Sequence, residues 1–286
     1  MKTIASLLFV AAALCHSSVH AQSAYTPPAR TGSVTPSFSY QTFDNFYDSN
    51  EVVSLSSVGI NGIQQYTISI AAEYGITDDI AVDALLGWTW AEMNNPIGPG
   101  DPTSIDGLND TLLGARWRFL DENKFDAWWV PTLTIRAGAT IAGSYRAGFI
   151  NSPGNGASGA EYNLLFAKYY APWDLGLYGS LSHKLYAENV PNKFEGSIGF
   201  YKGFNNGFNL FIGYRRVQSL SGINFDSPAF NTSRFQELRE IADNVEYGVT
   251  YTDSGGRTYG LTFYNVLSGE NTAQKFGLSA SMNLPF

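Results

Sequence analysis

From Lys275 to Phe286 the chain alternates without a fault. Phe276, Leu278, Ala280, Met282, Leu284 and Phe286 fall on one side, and Gly277, Ser279, Ser281 and Asn283 on the other. Successive side chains of a strand point to opposite faces, so this is a ribbon with one apolar and one polar side. The same split recurs. Tyr66, Ile68, Ile70, Ala72 and Tyr74 oppose Thr67, Ser69, Ala71 and Glu73, and Leu113, Ala115, Trp117 and Phe119 oppose Gly114, Arg116 and Arg118. A soluble sandwich would turn such apolar faces inward and cover its outside with many polar and charged groups. Here only 15% of residues are charged, well below the roughly 25% of a soluble domain. The apolar faces are aromatic at their ends and aliphatic between, the order of a lipid-facing band between two aromatic girdles. The expected fold is all-β: a transmembrane antiparallel up-and-down β-barrel.

The periodicity predicts about 12 strands, near 33–43, 63–75, 80–92, 109–120, 127–141, 161–171, 175–186, 193–203, 207–217, 244–253, 257–266 and 274–286. The connections Ile76–Asp79, Asp121–Asp126, Pro172–Asp174, Phe204–Asn206 and Ser254–Gly256 read as short turns. Those after the first, third, fifth and ninth strands are long, and 219–243 is the longest. Short periplasmic turns, long external loops and an even strand count are the pattern of bacterial outer-membrane barrels. Both termini are then periplasmic. A terminal aromatic, Phe286, after an alternating strand resembles the signal read by the barrel-assembly machinery.

Residues 1–21 read as a signal peptide, with Lys2, the uncharged run Ile4–Cys15 and a closing Val19-His20-Ala21. That run is too short to cross roughly 30 Å of hydrocarbon as a helix, and Leu14 stands where a lipoprotein would need a small residue before Cys15. Loss of the leader removes Cys15, His16 and His20, leaving His183 as the one histidine and no cysteine. Disulfides, thiolate chemistry and multi-histidine metal sites are thereby excluded. The chain is acidic, formally −8, which argues against a nucleic-acid partner. Beyond Ala21 no uncharged apolar run approaches the ~18 residues of a membrane helix. The expected organisation is a signal peptide over 1–21, a short periplasmic N-terminal segment over 22–32, and one barrel domain over 33–286 in the cell outer membrane.

The stretch Asp106-Gly107-Leu108-Asn109-Asp110-Thr111-Leu112-Leu113-Gly114-Ala115-Arg116-Trp117-Arg118-Phe119-Leu120 is similar to a Gly-x-Gly-Asp-x-x-Leu-Gly-x-Lys-Tyr-Arg pattern. That pattern belongs to the outer-membrane transporter family named for the meta-pathway of phenol degradation. Asn109 replaces the second glycine and Arg116 the usual lysine. The resemblance implies passage of small molecules, aromatic or otherwise apolar compounds among them. It assigns no catalytic residue.

With the apolar faces on lipid, the opposite faces line the interior. The charged residues placed there are Glu73, Asp83, Asp110, Arg116, Arg118, Arg136, Lys184, Glu195, Arg215 and Glu246. Opposed charges of this kind either select solutes in an open pore or close the lumen by mutual pairing. Arg116, Arg118 and Asp110 are the candidates for a constriction. Gln22–Gly32 reads as too short for an N-terminal plug, so a gate is expected from a loop. Within 219–243, Ser233-Arg234-Phe235-Gln236 has capping-box spacing, which predicts a short helix with Phe235, Leu238 and Ile241 on one side. The leading expectation is an outer-membrane channel or transporter for passive uptake of small molecules. The alternative is a closed structural or adhesive barrel, whose loop acids Asp44, Asp48, Glu51, Asp101 and Asp106 would share divalent cations with lipopolysaccharide. A barrel lipid hydrolase ranks last, because Ser180 and Ser182 fall on the strand face opposite His183. No cofactor or metal is implied. The expected partners are outer-membrane lipid and lipopolysaccharide, the assembly machinery and a small-molecule solute, and the chain is expected to be a monomer.

Overall fold

The computed structural model describes residues 23–48 and 51–286; the leader expected over 1–21 lies outside them. The chain forms β1 (Gly32–Phe43), β2 (Asn45–Asp48), β3 (Glu51–Ser54), β4 (Ile63–Gly75), β5 (Ile80–Met93), β6 (Ser104–Leu108), β7 (Thr111–Leu120) and β8 (Thr132–Ile141). It continues through β9 (Gly159–Tyr170), β10 (Leu175–Tyr186), β11 (Lys193–Gly203), β12 (Phe208–Ser219), β13 (Ile241–Thr252), β14 (Thr258–Glu270), β15 (Thr272–Ala273) and β16 (Phe276–Pro285).

Each barrel strand pairs antiparallel with its neighbours in sequence order, and β1 closes the sheet by pairing with both β4 and β16. The result is a closed barrel with 12 wall positions. β6 and β7 occupy a single position against β5, interrupted at Asn109-Asp110; the amide of Asn109 still donates to the Gly87 carbonyl at 2.7 Å and keeps the ladder continuous. Closure leaves no open edge, the condition for a sheet in hydrocarbon.

The outer face carries the band that the alternation predicts. Ile68, Ile70, Leu86, Leu113, Ile135, Leu164, Leu181, Ile198 and Ile212 project from mid-strand, with Trp88, Trp90 and Tyr214 toward one end and Trp117, Phe119, Tyr251 and Phe286 toward the other. These side chains contact no protein core. A band of this kind is what the lipid-facing wall of a transmembrane barrel carries.

Short connections fall at one end of the barrel and long ones at the other. One expected tight turn is longer: 121–131 holds a single 3-10 turn, Glu122–Lys124, before β8 begins at Thr132. At the opposite end β2, β3 and β15 form a small separate sheet. Beside it Phe46, Leu55, Ile60, Ile63, Met93 and Leu238 make an apolar cluster with Phe225, Phe230 and Phe235.

That cluster explains a departure from the sequence reading. No helix forms after Ser233. Phe235–Glu237 is one 3-10 turn without a side-chain cap. Ser233 turns its amide and hydroxyl to Asn231 Oδ1 instead. Leu238 pairs with Ile223 in a bridge, and Ile241 already opens β13. Phe235 and Leu238 join the external cluster, whereas Ile241 belongs to the wall, so the three do not share one helical side.

Candidate functional site: the lumen

The inward faces enclose a cavity of about 500 Å³. It runs from Ser23 of the N-terminal segment at one end to Pro153, Gly154 and Asn155 of the loop between β8 and β9 at the other. Of the residues expected inside, Glu73, Asp83, Asp110, Arg116, Arg136, Lys184, Glu195 and Arg215 line it.

Five of the lining charges form one continuous belt. Arg116 Nη2 is 2.6 Å from Glu73, and its Nε is 3.4 Å from Asp83. Arg136 grips the same Asp83 carboxylate through Nε and Nη2, the latter at 2.7 Å, and pairs with Glu161 on its other side. The Arg136 side chain is fully buried, and such an ion requires this degree of pairing. Gly114 and Gly138 make the space: a Cβ at either position would overlap its guanidinium. The glycine of the Leu113-Gly114 pair therefore has a packing role.

A second group follows around the wall. Lys184 is 2.7 Å from Glu195, and Lys193 is 2.7 Å from Glu240. Arg215 approaches Glu195 only to 3.8 Å. The remaining arc, β16 and β1, presents hydroxyls and amides, among them Ser33, Thr35, Ser37, Ser39 and Gln41. Ser37 and Ser69 share a hydrogen bond at 2.7 Å, and Tyr264, Gln41 and Gln65 form a chain of them.

The three candidates for a constriction do not converge. Arg118 lies at the short-turn rim, 3.0 Å from Asp79 and 3.4 Å from Asp121. Hydrogen bonds from Lys124 and Arg118 hold the Asp79 carboxyl below the usual carboxylate range. Asp110 works at the external end, where it accepts from the amides of Gly143 (3.0 Å), Asn155 (3.1 Å) and Gly156 (3.3 Å) and from the Tyr145 hydroxyl (2.8 Å). Burial, then the Asp110 charge, pushes the Tyr145 hydroxyl well above its ordinary value, so it stays a donor. One carboxylate thus folds the 142–158 loop into the mouth. Gln65 fixes the same loop from below by donating to the Asn151 carbonyl at 3.1 Å. Glu246 is inward but does not border the cavity.

The N-terminal segment lies inside the end of the barrel that carries the short turns, contrary to the expectation that it is too short to plug the barrel. Ser23, Ala24, Tyr25 and Thr26 are buried. Arg116 Nη1 donates to the Ser23 carbonyl at 3.2 Å and Thr134 to that of Ala24 at 2.5 Å. Tyr25 donates to Glu122 at 2.6 Å. Ala24 and Tyr25 pack with Leu165, Ala167 and Tyr178. Farther along, Thr26 and Ala29 are tied to Asp78. A few residues suffice because the wall itself narrows the floor. Tyr169, Tyr178, Tyr201 and Phe211 all point inward and pack together. They lie flat over glycines: a Cβ at Gly176 would overlap the Tyr201 ring, and one at Gly248 the Phe211 ring.

These inward aromatics, with Glu161, Lys193, Glu240 and Lys275, escape the sequence reading. The signal for the rings was a glycine directly across the ladder, as at Gly176↔Tyr201 and Gly248↔Phe211.

His183 faces outward, and Ser180 and Ser182 face inward to Ser197 and Asn163. The strand separates them, and no nucleophile–base pair forms here.

No protein-family model matches the sequence, and no curated protein matches it either. Among solved structures the chain is similar to the COG4313 outer membrane channel from Pseudomonas putida F1. The TM-score is 0.71 at 14% identity, over 94% of this chain and 100% of that one. It is also similar to the translocator domain of the autotransporter NalP from Neisseria meningitidis, with TM-score 0.50, 12% identity, and 91% and 90% of the two chains. At these identities the likeness is one of fold.

Proposed function

We propose that this chain is an outer-membrane channel for passive uptake of small molecules, aromatic or apolar compounds among them, closed at rest by its own N-terminal segment. The observation that carries the reading is the chamber itself. An apolar outer wall surrounds a polar cavity of about 500 Å³, and the elements at its two ends are held largely by side-chain contacts outside the barrel ladder. Such contacts are exchangeable, so the closures can open without unfolding the wall. The resemblance of 106–120 to a transporter family supports the reading, and so does the likeness in fold to a channel. The lumen selects by bore and by lining charge and needs no covalent chemistry.

The test is single-channel conductance of the refolded chain beginning at Gln22, beside a variant that lacks 22–31. The full chain should give infrequent discrete openings, and the shortened chain larger and longer ones. Silence from a correctly folded shortened barrel would overturn the channel and favour the closed structural barrel, which the ion-paired belt across the lumen also suits.

A further inference from the structure

The most exposed rings at the short-turn end do not sit on strands. Trp128 and Trp129 are 74% and 68% exposed and Trp173 68%, more than any ring of the lipid-facing band, and Phe125 is half exposed. They lie in 121–131, between β7 and β8, and in 171–174, between β9 and β10. Only the paired strands β8 and β9 separate the two turns. Both present their rings on fixed backbone. Glu122 accepts from the Tyr169 amide and pairs with Lys168 at 2.9 Å. Lys168 also donates to the Val130 carbonyl at 3.0 Å, so 125–129 stands out between two held feet. Trp173 follows Pro172 in a 3-10 turn that ends on Asp174 in the left-handed region.

The rim across the barrel is different. Turn 253–257, between β13 and β14, reads Asp253-Ser254-Gly255-Gly256-Arg257, and its two charges pair at 2.8 Å. Its apolar neighbours Tyr251, Tyr259 and Phe286 belong to strands or a strand end. On the aromatic side the exposed arc continues the wall. Trp117 and Phe119, ring centroids 6.0 Å apart, lead down the outer face of β7 toward Phe125, and exposed Ile76 flanks them. Charge points the same way. Lys202, on the outer face of β11 between Phe200 and Phe204, donates to the Trp173 carbonyl and stands 5.6 Å from the Phe204 ring. It forms no ion pair among the described residues. Asp174 turns inward over Gly203 and accepts from the Tyr169 hydroxyl at 2.8 Å. Tryptophans with a lysine among them suit the boundary between water and hydrocarbon, where rings are half covered and an ammonium meets phosphate.

We propose that turns 121–131 and 171–174 form a membrane-docking surface whose partner is the phosphate-and-ester layer of the lipid leaflet at the short-turn end. Phe125, Trp128, Trp129 and Trp173 enter that layer, and turn 253–257 stays in water. The barrel therefore sits deeper in the bilayer on its β8–β9 side. This rests on the membrane-spanning wall and not on the channel reading.

The chain beginning at Gln22 has no cysteine, so a single fluorescent NBD label can be placed where it is wanted. Asp126→Cys labels the 121–131 turn and leaves its rings in place. Ser254→Cys labels the opposite rim, and Leu164→Cys the middle of the lipid-facing band. Each is refolded into phosphatidylcholine–phosphatidylglycerol vesicles with and without a phosphatidylcholine spin-labelled just below its ester groups, and heat-modifiable gel migration checks folding. The label at 126 should be quenched several-fold more strongly than the label at 254. Adding Trp128→Ser and Trp129→Ser should bring it down to the level at 254. Equal quenching at 126 and 254 overturns the docking surface and is the result expected if a soluble protein covers these rings instead. Quenching at 126 that survives the two serine substitutions overturns it as well. An unquenched label at 164 overturns the membrane-spanning wall, and the docking surface with it. Conductance decides the channel separately: a silent barrel with the label at 126 quenched removes the channel alone.

Discussion

Two single residues hold the two ends of the chamber. Tyr25 is the anchor at the short-turn end. Its hydroxyl, pushed far above the ordinary tyrosine value by burial, Tyr201 and Glu122, remains a donor at every physiological pH. A hydrogen bond to a charged acceptor is worth about 1.5–3 kcal/mol, and about 1.4 kcal/mol is a factor of ten in a closed–open equilibrium. Tyr25→Phe keeps the ring in place and should raise the open probability in single-channel records by tenfold or more. Tyr74→Phe, on the lipid side, should leave it unchanged. Asp110 has the corresponding role outside. In Asp110→Asn one acceptor oxygen becomes a donor facing other donors, and the 142–158 loop loses its clamp. Trypsin should then cut after Arg146, an exposed loop residue, several-fold faster than in the wild-type barrel. Unchanged cleavage would mean that Gln65 and Asn151 hold the loop without it.

At the scale of the element, the strands were legible and the loops were not. Alternation places lipid-facing and lumen-facing residues on every wall strand, because a one-residue slip would turn each of them over. The physical cost enforces the pattern: Leu164→Arg, mid-strand on β9, should destabilise the folded barrel by about 2–4 kcal/mol in a denaturant titration in lipid. The belt was half legible. Arg116 and Arg136 show themselves as charges on a lumen face, but which carboxylate each grips depends on how neighbouring strands align, and Glu161 was missed for that reason. The inward rings of Tyr201 and Phe211 obey a rule that joins two strands, a glycine opposite an aromatic, which a reading along one strand cannot see. The Ser233 capping signal failed because a local Asx turn at Asn231 and the apolar cluster around Phe46 competed for the same residues.

Across the whole molecule the lumen divides into sectors. From β4 through β12 the wall is cross-braced by ion pairs, whereas β16 and β1, where the two ends of the chain meet, contribute hydroxyls and Asn283. The N-terminal segment departs from Gly32 at that seam and reaches to Thr134, Leu165 and Ala167 on β8 and β9, so it lies as a bar across the mouth. A bar fixed at one end is a tethered ligand, and its occupancy depends on its local concentration as well as on its contacts. For a short tether that concentration reaches the millimolar range and falls with roughly the −3/2 power of length. On the channel reading, the few residues between Tyr25 and Gly32, together with the ties of Thr26 and Ala29 to Asp78, set how long the barrel stays shut. Homologous barrels could differ in resting permeability through the length of this segment alone, with every lumen contact preserved.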